Sequence, residues 1–379
     1  MQERQRVRER QPEREQRVQD HEWNESRDRD RNRWNELYKE RPRTVKFDSA
    51  PWEQSRAAHH KVFTGPDIAL LERKPWLAPM NTLRLLMQEI ETGHKNSNHR
   101  HYAEVPFYIV EGKGHEVHDA KRYDWEAGDL MIVPPYTMHQ HYCDEGPARL
   151  IYCQAAHGGV AGGEVAELNE YFKLPDNARF LYDGNGTVVG YRREEGEEFL
   201  FGAANAVGRE EMARRFQDSP PEPSHPVTDD YEYFVRLYQE ECHWRQAVPQ
   251  VIRQRDRQWQ ETRNGRTLWY LHPNHPPITN GMKLFECYLQ DLPPGGHSGK
   301  HHHIGEEVRF IVEGKGYDII NGEKWEWETN DVVACPVLST HQSFNSDPAH
   351  PARFVVFKSR TYDYMSFGGV EHFEDASPW

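Results

Sequence analysis

The chain has 379 residues, 36% of them hydrophobic, and 47 Lys and Arg set against 61 Asp and Glu leave a net charge of −14. That length accommodates two domains with cores of their own, while a negative surface disfavours nucleic acid and anionic membranes as partners. No run approaches the roughly 20 apolar residues that span a bilayer, and the first thirty lack the apolar centre of a secretory leader, so a cytoplasmic protein is expected.

Residues 1–44 form a polar arm in which Arg alternates with Glu, Asp and Gln and aliphatic residues are nearly absent. Such a segment has too little apolar surface for a core, so it is expected to stay disordered or to lie as a solvated helix on a neighbouring subunit of a homo-oligomer. From Val45 onward, short apolar runs such as LRLLMQEI and LMIVPP are broken by Gly, Pro, Asn and Asp. This is the pattern of many short strands, and it predicts an all-β N-terminal domain over 45–175. Within 176–262, the stretches GREEMARRF and YEYFVRLYQEECHWRQAV carry apolar residues at helical spacing around the breaker SPPEPSHP, which predicts a mainly helical connector. Strand-type pattern returns over 263–379 and gives a second β domain. The five cysteines are widely spaced with no CxxC pair, which argues against a disulfide framework or a thiolate zinc site.

The two β domains are copies of each other. Residues 107–114 read FYIVEGKG and residues 309–316 read RFIVEGKG, 202 positions apart. The same offset, without a gap, superposes Gly93 on Gly295, His99 on His301, His101 on His303, Trp125 on Trp327, Asp129 on Asp331, Pro134 on Pro336 and His139 on His341.

Histidines survive in both copies at a spacing that metal ligation requires. His301 and His303 stand at i and i+2 with Glu307 four further on, so on strands all three face one side; His341 follows from a later strand. Three imidazoles and a carboxylate suit iron, manganese, nickel, copper or zinc. In the first copy His99, His101 and His139 recur, but Val105 occupies the glutamate position, and neighbouring Glu104 points to the opposite face. A three-histidine centre is expected there, with three positions of an octahedral metal open rather than two. The bland alternative is that either cluster merely fills a barrel mouth.

This spacing resembles the cupin superfamily motifs G-x5-HxH-x3-E-x6-G and P-x-G-x2-H-x3-N. Gly295, His301, His303, Glu307, Gly314, Pro336, His341 and Asn345 match, with Leu338 in place of the second motif's glycine. The resemblance implies two jelly-roll barrels, a bicupin. The first copy is also similar to the gentisate 1,2-dioxygenase family, which includes salicylate and 1-hydroxy-2-naphthoate dioxygenases. His99, Arg100, His101, Ile109, Val110, Glu111, Gly112, Gly128, Asp129, Pro134, Thr137, His139 and His141 carry that likeness. It implies Fe(II) held by three histidines and O2-dependent cleavage of a small aromatic substrate bearing a hydroxy-carboxylate or diol. The family's arginine after HRH is replaced by Phe107 and is present in the second copy as Arg309.

His141 is the candidate acid or base, and Tyr136 and His115 are further polar candidates near the first centre. Arg309 shares the ligand parity, and either binds a substrate carboxylate or makes an internal salt bridge. Two other functions fit the same residues: a manganese bicupin decarboxylase resembling oxalate decarboxylase, which uses three histidines and one glutamate, and a non-enzymatic storage or binding bicupin.

Overall fold

Strict alternation along the strands decides how each copy folds. In the strand Leu130–Val133, Leu130 and Ile132 pack on one side while Met131 and Val133 pack on the other, and all four are buried. The strand Val332–Cys335 does the same, with Val332 and Ala334 on one side and Val333 and Cys335 on the other. Strands apolar on both faces must be covered on both, so one face fills its own barrel and the other meets the second barrel.

The computed structural model describes residues 29, 31–54, 59–100, 104–118, 121–134, 137–155, 170–171, 178–182, 188–193, 198–200, 231, 249–272, 282, 284–361 and 369–379. Its architecture is all-β. The first barrel is a ten-stranded sheet built on the long strands Val105–His118 and His139–Ala155, each of which runs from one wall into the next. The second barrel uses separate strands for its two walls. Glu307–Glu313, Val332–Cys335, Ala352–Ser359 and Phe285–Leu292 form one, and Lys315–Ile320, Glu323–Glu328, His341–Asn345 and Lys300–His303 form the other. Each barrel is filled by its own apolar cluster, around Phe107, Ile109 and Trp125 in the first and around Ile311, Trp327 and Phe354 in the second.

Between the barrels runs a third and larger cluster that includes Leu85, Tyr108, Ile132, Phe285, Phe310 and Phe357. Burying each such side chain fully contributes about 1.5–3 kcal/mol relative to exposure, so the two barrels hold each other tightly. Polar contacts across this interface repeat with the 202-residue offset. Glu306, completely buried in the second barrel, accepts from Asn81 N at 2.8 Å, Asn81 Nδ2 at 2.9 Å, Thr82 N at 2.6 Å and Thr82 Oγ1 at 2.8 Å in the first. Its counterpart Glu104 accepts from Leu284 N in the second barrel. Glu104 therefore faces away from the first barrel's interior, as its parity requires. Truncating Glu306 to Ala strands the buried backbone N–H of Thr82 and the part-buried one of Asn81, together with their side-chain donors. We expect that variant to lose about 3 kcal/mol or more in chemical denaturation, since each unpaired buried donor costs about 1–3 kcal/mol. A loss below about 1 kcal/mol would show that this brace does not hold the barrels together.

The barrels also exchange strands. Thr44–Val45, which precedes the first barrel, pairs with Val333 and Val332 of the second; Val251–Ile252, which precedes the second, pairs with Met131 and Leu130 of the first. Asp331 secures the first exchange, accepting from Lys46 Nζ at 2.7 Å and Phe47 N at 3.0 Å. Asp129 secures the other, accepting from Arg253 Nη1 at 2.5 Å and Gln254 N at 3.3 Å.

Two expectations change in detail. The end of the polar arm, residues 31–40, is helical and packs on its own chain, with Leu37 buried against Val62, Leu71, Leu77 and Leu86. Within 176–262, the described residues include the strands Ala178–Tyr182, Val188–Arg193 and Glu198–Leu200, which form a three-stranded antiparallel sheet, and the strand Trp259–Thr262. The two stretches with helical spacing fall outside the described residues apart from Tyr231, which is helical. Among the described residues, no helix is long and apolar enough to cross a membrane. The four described cysteines, Cys143, Cys153, Cys287 and Cys335, are buried free thiols.

Candidate metal centres

The second barrel brings its four sequence-predicted ligands together. His301, His303, Glu307 and His341 each offer a donor atom within 4.8 Å of the others, and all four are buried. His301 lies directly across from His341 in the antiparallel register, with ring centroids 4.4 Å apart. His303 Nε2 is 3.3 Å from Glu307 Oε2, and His341 Nε2 is 4.0 Å from Glu307 Oε1. Gly295, at φ +65°, adopts the left-handed turn that leads into the ligand strand. Leu338 takes the same conformation, φ +55°, at the position where the motif has glycine.

The imidazoles are oriented for metal. Nδ1 of His301 faces Gly299 O at 3.2 Å, that of His303 faces Gly305 O at 2.6 Å, and that of His341 faces Ser339 O at 2.8 Å. A carbonyl only accepts, so each Nδ1 carries a hydrogen and each Nε2 is the atom turned into the barrel. Nε2 of His341 is buried there without a hydrogen-bond partner. Burial lowers the pKa of His301 to about 4 and that of His341 well below its ordinary value, which keeps these rings neutral and available as ligands at neutral pH. Burial opposes ionisation of Glu307, but Arg309 and the imidazoles of His303 and His341 outweigh it and hold the carboxyl well below the usual range. Three imidazoles and one carboxylate, buried and convergent, fit a divalent transition metal.

Arg309 makes the internal salt bridge, the second of its two sequence-level readings. It is 2% exposed, with Nε 2.5 Å from Glu307 Oε1 and Nη1 2.7 Å from Asp318 Oδ2, and Nη1 also donates to Ser343 Oγ. Tyr288 donates to Glu307 Oε2 at 3.2 Å. The guanidinium thus holds the ligand carboxylate from behind.

In the first barrel, His139 and His99 repeat this register, with ring centroids 4.3 Å apart, and their Nδ1 atoms face Thr137 O at 2.9 Å and Ser97 O at 3.0 Å. His101 and Tyr136 lie outside the described residues. Val105 and Phe107 face inward where the second barrel has Glu307 and Arg309. His141 is 1% exposed, inside the barrel, with its ring 4.6 Å from Phe107 and its Nδ1 against Glu116. His115, by contrast, stacks on Tyr142 at 4.5 Å and contacts Asp144 at 2.7 Å, on the face opposite Glu116.

Two features were missed at the sequence level. Buried Glu116 and His118 line the first barrel; the offset does place Glu116 on acidic Asp318, a signal that was available. His372, in the aromatic-rich tail, belongs to the strand Val370–Glu374, which adds beside the ligand strand and sets His372 opposite His301. Its Nε2 lies 2.8 Å from Asp375 Oδ1.

Comparison with known proteins agrees with this architecture. A model of the cupin domain matches residues 86–153 and 288–358. Among solved structures, a single-site mutant of Bacillus subtilis oxalate decarboxylase superposes with a TM-score of 0.53 at 13% identity, covering 87% of this chain and 79% of that one. The formate complex of Lactobacillus farciminis oxalate decarboxylase does so with a TM-score of 0.51 at 14% identity, covering 87% of this chain and 88% of that one. The chain thus carries two cupin domains, and its fold is that of a bicupin. Both of these structures are decarboxylases, whereas the first-copy motif resembles ring-cleaving dioxygenases.

Proposed function

We propose that this bicupin is a divalent-metal enzyme whose working centre lies in the second barrel, and that it decarboxylates a small dicarboxylate of the oxalate type. The observation that carries this reading is the complete ligand set of His301, His303, Glu307 and His341, with its carboxylate held by Arg309. Four protein donors leave two positions on an octahedral metal, enough for a small carboxylate and one further ligand. When bound, the metal supplies Lewis acidity and a one-electron couple, and manganese suits a site with a hard carboxylate donor. The chain's own contribution is to present three buried imidazoles, keep Glu307 ionised and shield the centre from bulk water. The likeness to oxalate decarboxylases supports this choice over the Fe(II) dioxygenase reading at the level of fold.

Ring cleavage with O2 in the first barrel is a second reading, favoured by one observation. Val105 and Phe107 leave that centre without a ligand carboxylate, which opens a third position for a chelating aromatic hydroxy-acid. Offering oxalate, salicylate, gentisate and hydroxynaphthoate to manganese- and iron-loaded protein, and following formate, CO2 and O2 uptake, separates the two. We expect formate and CO2 from oxalate with the manganese form. Stoichiometric O2 uptake with an aromatic substrate and none of these products would transfer the activity to the first barrel.

A further inference from the structure

The interiors of the two barrels balance charge in different ways. In the second, Glu307 and Asp318 face Arg309, which leaves one net negative charge among buried groups. In the first, the equivalent positions are Val105, Glu116 and Phe107, and among the described interior residues Glu116 leaves the same single negative charge. The formal charge offered to a cation is therefore equal, although no carboxylate stands at the ligand position of the first barrel.

Glu116 is 0% exposed and reaches two histidines. Its Oε2 meets His141 Nδ1, and its Oε1 lies 3.1 Å from His118 Nε2. His118 Nδ1 is 3.1 Å from Gln250 Oε1, so Nε2 is the ring atom that faces the carboxylate. A carboxylate within reach of an imidazole Nε2 recurs at the ligand set of the second barrel, where His303 Nε2 is 3.3 Å from Glu307 Oε2. The strand register sets His118 directly opposite His139, so this carboxylate and imidazole adjoin the ligand row.

We propose that Glu116 is the anionic partner of the first barrel's metal centre. It supplies, from a position beside the ligands, the charge that Glu307 supplies as a ligand in the second barrel, and it fixes His141 and His118. This rests on the reading that the first barrel holds a divalent cation. Partners of this kind, next to metal-bound histidines, typically change affinity by about 10–100-fold.

The test uses full-length protein stripped by chelation and titrated with Co(II), with binding followed by calorimetry and by the visible spectrum. We expect wild type to take up two equivalents per chain. Glu116→Gln should weaken one class of site by about 10-fold or more and shift its spectrum, while Glu307→Gln should weaken the other class. Glu116→Asp should recover part of the loss. If Glu116→Gln binds both equivalents within about threefold of wild type, the carboxylate is merely structural and the proposal fails. It fails equally if Glu116→Gln and Glu307→Gln affect the same class. A wild type that binds one equivalent, lost in Glu307→Gln, instead overturns the reading that the first barrel holds metal, and the proposal with it. Circular dichroism checks folding, and should Glu116→Gln not fold, an unchanged Co(II) spectrum in Glu116→Asp is the refuting result.

Discussion

Glu307→Ala should abolish turnover and empty the second-barrel centre while leaving the first able to bind metal. The side chain is a donor atom, the charge that neutralises part of a bound cation, and the nearer of the two carboxylates paired with Arg309. Its loss leaves three imidazoles beside Arg309, whose charge Asp318 then balances alone, so the space no longer offers a cation any net negative charge. Both effects act in one direction, so affinity at this site should fall by well over about 100-fold, beyond what an outer-sphere change produces. Metal analysis and product formation on the same preparation measure the two consequences. The mirror change, Val105→Glu, places a carboxylate where the first barrel has Phe107 rather than arginine, so it gains no cationic partner and adds to the charge of Glu116. If Glu307→Ala keeps wild-type turnover while Val105→Glu abolishes it, catalysis belongs to the first barrel.

Arg309→Met should produce the largest loss of stability. Arg309 is the cation between two carboxylates, Glu307 and Asp318, all of them at most 2% exposed. Removing one member of such a network leaves uncompensated buried charge, which costs about 3–5 kcal/mol. Asp318 retains Trp327 Nε1 at 2.8 Å, but Glu307 keeps only Tyr288 at 3.2 Å and the imidazole of His303. Added manganese should restore part of the lost stability in Arg309→Met, because the ion replaces the missing positive charge, and it should do so more than in wild type. The triple variant Glu307→Leu, Arg309→Met, Asp318→Leu should recover most of the stability without binding metal in that barrel, since an apolar replacement of a buried ion network is often neutral or better. Calorimetric unfolding with and without chelator checks both. A transition in Arg309→Met within about 1 kcal/mol of wild type would mean that the network is not holding the barrel.

What was legible in the sequence is what a strand encodes locally. Side chains alternate with period two, so the spacing of His301, His303 and Glu307 already placed them on one face and Glu104 on the opposite one, and the 202-residue repeat established that a second barrel carries the same row. The all-β bicupin architecture followed from the same two signals. Partners across strands are not encoded locally, because they depend on register and on how the barrel closes. Arg309 had two readings until Asp318 and Ser343 were brought against it by the strands Lys315–Ile320 and His341–Asn345. Glu116, an unremarked residue between two histidines, became the charge inside the first barrel only once His141 was paired across from it. The exchange of Thr44–Val45 and Val251–Ile252 between barrels likewise lay beyond any local pattern. Two-residue strands carry almost no period, and only the exposed edge of the other barrel's sheet decides where they pair.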